Sequence, residues 1–113
     1  MHEMALSESM MEIIAAEAQR HNVSRVQAVV LEIGALASVD AEAMRFCFDA
    51  VSRGTVAEGA RLDIVRVPGE AWCMPCSRSV PLAERYDPCP RCGSHQLQVI
   101  KGEELRVKEL EVA

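Results

Sequence analysis

From Ala5 to His21 apolar side chains return at Leu6, Met10, Ile13, Ile14 and Ala18, while Glu8, Glu12, Gln19 and Arg20 fall mainly away from them. That is the period of a helix with one buried face, and Asn22 stands where such a helix stops. The period then shortens. Between Val26 and Ile33 the residues Val29, Leu31 and Ile33 alternate with Val30 and Glu32, which suits a strand with one well-buried face, ended by Gly34. Ser38 and Asp40 are candidate N-caps for a second helix, Ala41 to Ser52, in which Met44, Cys47, Phe48 and Val51 follow the helical spacing and Gly54 supplies the stop. A second strand, Arg61 to Val67, runs into Pro68-Gly69. The closing segment, Glu103 to Val112, is strand-like with an irregularity: Leu105 and Val107 share one parity, Leu110 and Val112 the other. A strand cannot exchange faces without an extra residue, so a bulge near Lys108-Glu109, or burial on both faces, is expected.

These elements predict an α+β fold of two helices packed on one face of a three-stranded sheet. The stretch between the second and last strands leaves the sheet and returns. The expected division is a first lobe of residues 1–69 and 102–113 and an inserted, zinc-ribbon-like lobe of residues 70–101.

Half of the 113 residues are hydrophobic, yet there are only one Trp, one Tyr and two Phe, so the core must be aliphatic. Seventeen acidic against twelve basic residues give a net charge of −5, which argues against a broad nucleic-acid footprint. No apolar run reaches spanning length and the start is acidic rather than basic, so neither a membrane segment nor a signal peptide is expected. A cytoplasmic location follows, and in a reducing cytosol five cysteines are not a disulfide framework. Cys47 falls on the apolar face of the second helix and reads as a small buried hydrophobe.

The other four cysteines carry chemistry. Cys73 and Cys76 are separated by two residues, as are Cys89 and Cys92. Each C-x-x-C turn presents two thiolates to one metal, and two such turns complete a closed tetrahedral site, the manner in which structural zinc is held. A thioredoxin-like dithiol would need one pair at a helix N-terminus, and an iron–sulfur centre other spacings. The insert offers only Trp72, Val80, Leu82, Tyr86, Leu97 and Val99 as an apolar core, so the metal decides whether it folds. His95 competes weakly for a ligand position against four thiolates. Around the knuckles Arg78, Arg85 and Arg91 are offset by Glu70, Glu84 and Asp87, which again disfavours nucleic acid.

The chain opens Met1-His2-Glu3. A bulky second residue keeps the initiator methionine in place, so the free amine is that of Met1. That amine, the His2 amide nitrogen and the His2 imidazole close adjacent five- and six-membered rings around one metal. The Glu3 amide nitrogen or its carboxylate supplies a fourth donor. A planar nitrogen set with a deprotonated amide favours nickel(II) or copper(II) over zinc, and it forms an accessible, transferable site.

MHE at the start, LEIGALASVD, RFCFDAVSRGT, GARLDIV, the paired C-x-x-C turns and the closing GEELRVKELEV together resemble the HypA/HybF family of hydrogenase nickel-incorporation proteins over essentially the whole chain. The resemblance implies a non-catalytic nickel metallochaperone that delivers Ni(II) to the [NiFe]-hydrogenase large subunit with the GTPase HypB as partner, and it is compatible with a homodimer. It implies His2 as nickel ligand with Met1 and Glu3 contributing backbone donors, and Cys73, Cys76, Cys89 and Cys92 as zinc ligands. Ser77 stands where a glycine often follows the first knuckle, and Ala37 where serine is common. The alternative reading is a zinc-ribbon protein adaptor with an inert N-terminus. No paired carboxylates, nucleophile elbow or phosphate-cradling glycine loop speak for an enzyme.

Overall fold

The computed structural model describes residues 2–113. Its elements are α1 (His2–Arg20), β1 (Val26–Gly34), α2 (Ala41–Ser52), β2 (Arg61–Val67), β3 (Glu70–Cys73), β4 (Arg78–Pro81), β5 (Leu97–Lys101) and β6 (Leu105–Val112). Two three-stranded sheets result, ordered β2-β1-β6 and β4-β3-β5.

In the first sheet β1 lies in the middle, which is why Val26, Ala28, Val29, Leu31 and Ile33 are all buried. Backbone bonds at its two ends set its neighbours' directions. Val26 N–H donates to Val56 O and Ala35 N–H to Val67 O, so β2 runs parallel to β1. Gly34 N–H donates to Glu104 O and Ala113 N–H to Arg25 O, so β6 runs antiparallel. Parallel neighbours require a crossover, and α2 provides it.

Each helix end has a local cause. Asp40, not Ser38, caps α2, its carboxylate accepting from the amides of Glu42 and Ala43 at 2.8 and 3.1 Å. Asn22 closes α1 with φ at 55°, and Val23 N–H reaches back to Ala18 O at 2.8 Å. Helix α1 departs from expectation at both its start and its face. It begins at His2, three residues before Ala5, and it buries Ser7, Met10, Met11, Ile14 and Ala18, leaving Ile13 55% exposed. The buried stripe is turned toward Met11 because flexible methionines fill this aliphatic core. The buried Ser7 hydroxyl finds an acceptor in the Met44 sulfur at 3.7 Å.

The chain divides into two compact units, Met1–Leu31 with Val39–Val65 and Arg106–Ala113, and Glu32–Ser38 with Arg66–Leu105. The second takes in residues 32–38 because Leu36 is buried with Ala71 and Leu82 in its core, against Leu97 and Val99. Bare backbones meet beside Leu36: a Cβ on Gly34 would stand 2.0 Å from Gly102 O, and one on Gly69 2.2 Å from Leu82 O. Glycine is required there by space.

Candidate metal centre

Strand β3 carries the first knuckle. It pairs antiparallel with β4 and β5, placing Cys73 opposite Arg78 and Leu97. Strand alternation sends Ala71 and Cys73 inward, where both are fully buried, and Trp72 outward, where it is 39% exposed. Trp72 is therefore no core residue, and Tyr86, 86% exposed, is none either. Of the apolar residues expected inside the insert, Val80 and Leu82 are buried, and Leu97 and Val99 pack partly buried against them and Leu36.

From Cys73 the chain turns at Met74–Ser77. Ser77 adopts φ 51° where a glycine would be at ease, and its N–H bonds Met74 O, so the knuckle turn forms with serine in the left-handed position. The second knuckle is held by Gly93 N–H to Cys89 O at 2.9 Å and Cys89 N–H to Ser94 O at 2.8 Å, with Gly93 at φ 75°. The two turns bring Cys73, Cys76, Cys89 and Cys92 together, their sulfurs all within 4.8 Å of one another. Across the knuckles Cys73 Sγ lies 3.6 Å from Cys92 Sγ, and Cys76 Sγ 4.0 Å from Cys89 Sγ. Four sulfurs bound tetrahedrally at ~2.3 Å from one zinc ion stand roughly 3.8 Å apart, so the donor set fits that ion.

The surroundings bias three of the thiols differently. Burial opposes ionisation of Cys89, but the amides of Cys92 and Arg91 bond its sulfur, the latter at 3.4 Å, and together with the Cys73 and Cys92 thiols they pull it down to about 6. Cys76, ringed by the Cys92 and Cys73 thiols and partly desolvated, is pushed up to about 12. Burial also raises Cys73. Cys89 is thus a ready thiolate, whereas Cys73 and Cys76 are thiols that a cation must deprotonate. Its chemistry is that of a structural metal site such as zinc, with the sulfurs packed against Val80 and Leu97. His95 is exposed and outside the cluster.

At the N-terminus Met1 lies outside the described residues, while His2 is exposed at the first position of α1. The Glu3 carboxylate accepts from Asp40 N–H at 3.2 Å, a contact no local pattern announces. A second contact invisible in the spacing is that of Arg85, which pairs with Glu103 and donates to Leu36 O at 3.1 Å, rather than pairing with the nearby Glu84.

Two helices, a three-stranded sheet and a ribbon with four clustered cysteines define a small α+β protein with a donor set compatible with a structural metal. The family model described as hydrogenase/urease nickel incorporation, metallochaperone, hypA matches residues 1–112, and the chain belongs to this family. It is 63% identical over 112 residues to the hydrogenase maturation factor HypA of Rhodopseudomonas palustris (strain BisA53) and 55% identical to that of Azotobacter vinelandii, in each case over 99% of both chains. The solution structure of the Ni metallochaperone HypA from Helicobacter pylori superposes with a TM-score of 0.71 at 25% identity, covering 97% of this chain and 96% of the other. A second solution structure of a HypA protein gives 0.73 at 27% identity, covering 100% and 97%. The resemblance read from the motifs is thereby shown, as is the fold class. Among the described residues, no helix is long and apolar enough to cross a membrane.

Proposed function

We propose that the chain is a non-catalytic nickel carrier of the cytoplasm whose two metal sites divide the work. Cys73, Cys76, Cys89 and Cys92 hold zinc as the cross-link of the inserted lobe. Met1, His2 and Glu3 hold transferable Ni(II), which is handed to the [NiFe]-hydrogenase large subunit with HypB as partner. The observation that carries the reading is the position of His2 at the very start of α1, exposed. The first amides of a helix have no intrahelical acceptor, so the His2 and Glu3 nitrogens are free for a chelate without breaking a helical bond. The Glu3 carboxylate is engaged by Asp40 N–H, which favours the Glu3 amide nitrogen as fourth donor. His2 is exposed and is not one of the buried residues of α1, so its removal should leave the fold intact.

Nickel titration of protein with its authentic start, beside His2→Ala and a variant with one added N-terminal residue, tests this. Both variants should lose specific nickel binding and hydrogenase maturation while keeping their zinc and their helical circular dichroism. Copper(II) should occupy the native site more tightly than nickel, following the order of affinity at nitrogen donors. Equal nickel affinity in all three proteins would return the first residues to an ordinary terminus and leave a zinc-ribbon adaptor.

A further inference from the structure

Helices α1 and α2 lie side by side and run the same way. The Glu3 carboxylate accepts from Asp40 N–H at 3.2 Å, Ser7 Oγ donates to Met44 Sδ at 3.7 Å and Thr55 Oγ1 to Met11 Sδ at 3.5 Å, so the contacts advance together along both. Between the helices opens a shallow furrow of about 290 Å³, with Met11, Ala15 and Val51 as its apolar lining and the exposed Glu8 and Glu12 as its acidic one. Ala50, next to Val51, is exposed, and Phe46 one turn before it is 72% exposed. Glu42, also exposed, lies one turn before Phe46.

The charge around this furrow is not balanced within the chain. The arginines at the two helices are engaged elsewhere: Arg20 pairs with Glu17, Arg45 donates to Leu62 O and Arg53 pairs with Asp49. Among the described residues, no hydrogen bond or ion pair engages the carboxylates of Glu8, Glu12 and Glu42. Glu8 and Glu12 stand one turn apart on α1, an arrangement of like charges that disfavours a helix. The fold therefore draws no stability from its acidic rim, nor from the aromatic ring that α2 holds in water.

We propose that the furrow docks a basic amphipathic helix of a partner protein. The partner's apolar stripe lies along Met11, Val51 and Phe46, and its Lys and Arg flanks meet Glu8, Glu12 and Glu42. Exposed alanines at positions 15 and 50 let a third helix approach closely. A protruding aromatic such as Phe46 is the kind of side chain that anchors an interface. Glu8 to Ala15 rises about 10 Å along α1, so two turns of the partner fill it. Charge selects the class of occupant. Three uncompensated carboxylates repel the phosphates of nucleic acid and of anionic lipid, and they would oppose one another if this surface met its own copy. Nickel has no part in the docking, which stands whether or not the nickel reading holds.

Fluorescence anisotropy of a labelled peptide, titrated with the full, zinc-loaded chain, tests the docking. The peptide is a helix of about five turns with Leu on one face and Lys and Arg on its flanks. Wild type should bind it, less tightly as salt is added, and should not bind a scrambled peptide of the same composition. Phe46→Ala should weaken binding about tenfold, and Glu8→Gln with Glu12→Gln by about as much. Glu84→Gln with Glu109→Gln removes the same charge from exposed positions elsewhere and should leave binding unchanged. All these positions are exposed, and far-UV circular dichroism verifies that the variants fold. Equal binding of the scrambled peptide, an equal loss in the Glu84 and Glu109 variant, or indifference to Phe46→Ala would each overturn the proposal. So would a chain that ignores the helical peptide, or one that adsorbs instead to vesicles of anionic phospholipid.

Discussion

Cys89 differs from its three partners in what surrounds the sulfur. Backbone amides at the second knuckle bring it down to about 6 against the opposing effect of burial, whereas Cys76 stands at about 12 and Cys73 above its ordinary value. At neutral pH the empty cluster thus offers the Cys89 thiolate first, and Cys73 and Cys76 must release protons as a cation enters. Protons compete for those sulfurs, so zinc affinity should climb with pH between about 6 and about 8, by at least two protons per ion. Below about 6 Cys89 takes up its own proton and the dependence should steepen. Competition against a coloured chelator across this range measures it, and an affinity independent of pH would mean that the thiols are not the ligands. At this scale the clustering of Cys73, Cys76, Cys89 and Cys92 was legible because each knuckle is a local turn whose sulfurs are placed by spacing. Leu36 and Arg85 were not legible: Leu36 is buried with Ala71 and Leu82, which lie far along the chain, and Arg85 donates to Leu36 O, 49 residues back, and pairs with Glu103, 18 residues on.

At the scale of elements, periodicity placed both helices and the strands of the first sheet, and erred where several faces were nearly equivalent. In α1 Ile13 and Met11 lie about 160° apart on the helix, and hydropathy favours isoleucine, while packing selected the flexible thioether. In β3 hydropathy favoured Trp72, while alternation anchored by Cys73 turned it outward. Strand β6 was expected as a core strand and is a half-buried edge. Truncation after Lys101 removes Leu105, Val107 and Leu110 together with the bonds that β6 makes to β1. Half-burial is worth roughly 1 kcal/mol for each such side chain, and the exposed edge of β1 adds to the loss. Against the roughly 5–15 kcal/mol available to a small domain this is a large fraction. The urea midpoint of the truncated chain should fall well below that of the full chain. An unchanged midpoint would show that β6 contributes nothing to the first sheet.

For the whole molecule, a three-stranded sheet carrying two helices followed from the order of the elements, and the parallel pairing of β1 and β2 is the form that the α2 crossover between them takes. The extent of the second compact unit did not, because Leu36 joins it from the far side of the sequence. That unit buries little: Ile33, Leu36, Ala71, Val80 and Leu82, together with the sulfurs of Cys73 and Cys89. So small a core does not hold a fold by itself, whereas a closed four-thiolate zinc site supplies about 10–16 kcal/mol of apparent folding free energy in small peptides. The first unit has its own aliphatic interior around Ile14, Val29, Leu31, Met44 and Phe48, with none of the four clustered thiols in it. Cys76→Ser should therefore release the metal and abolish amide protection in β3, β4 and β5, while α1, α2 and β1 stay protected from exchange. Removing the metal from wild-type protein with a strong chelator should reproduce the same map, and restoring zinc should reverse it for wild type alone. A Cys76→Ser protein that keeps one equivalent of tightly held zinc, or β3 to β5 staying protected without metal, would show that the ribbon is held by its side chains rather than by the ion.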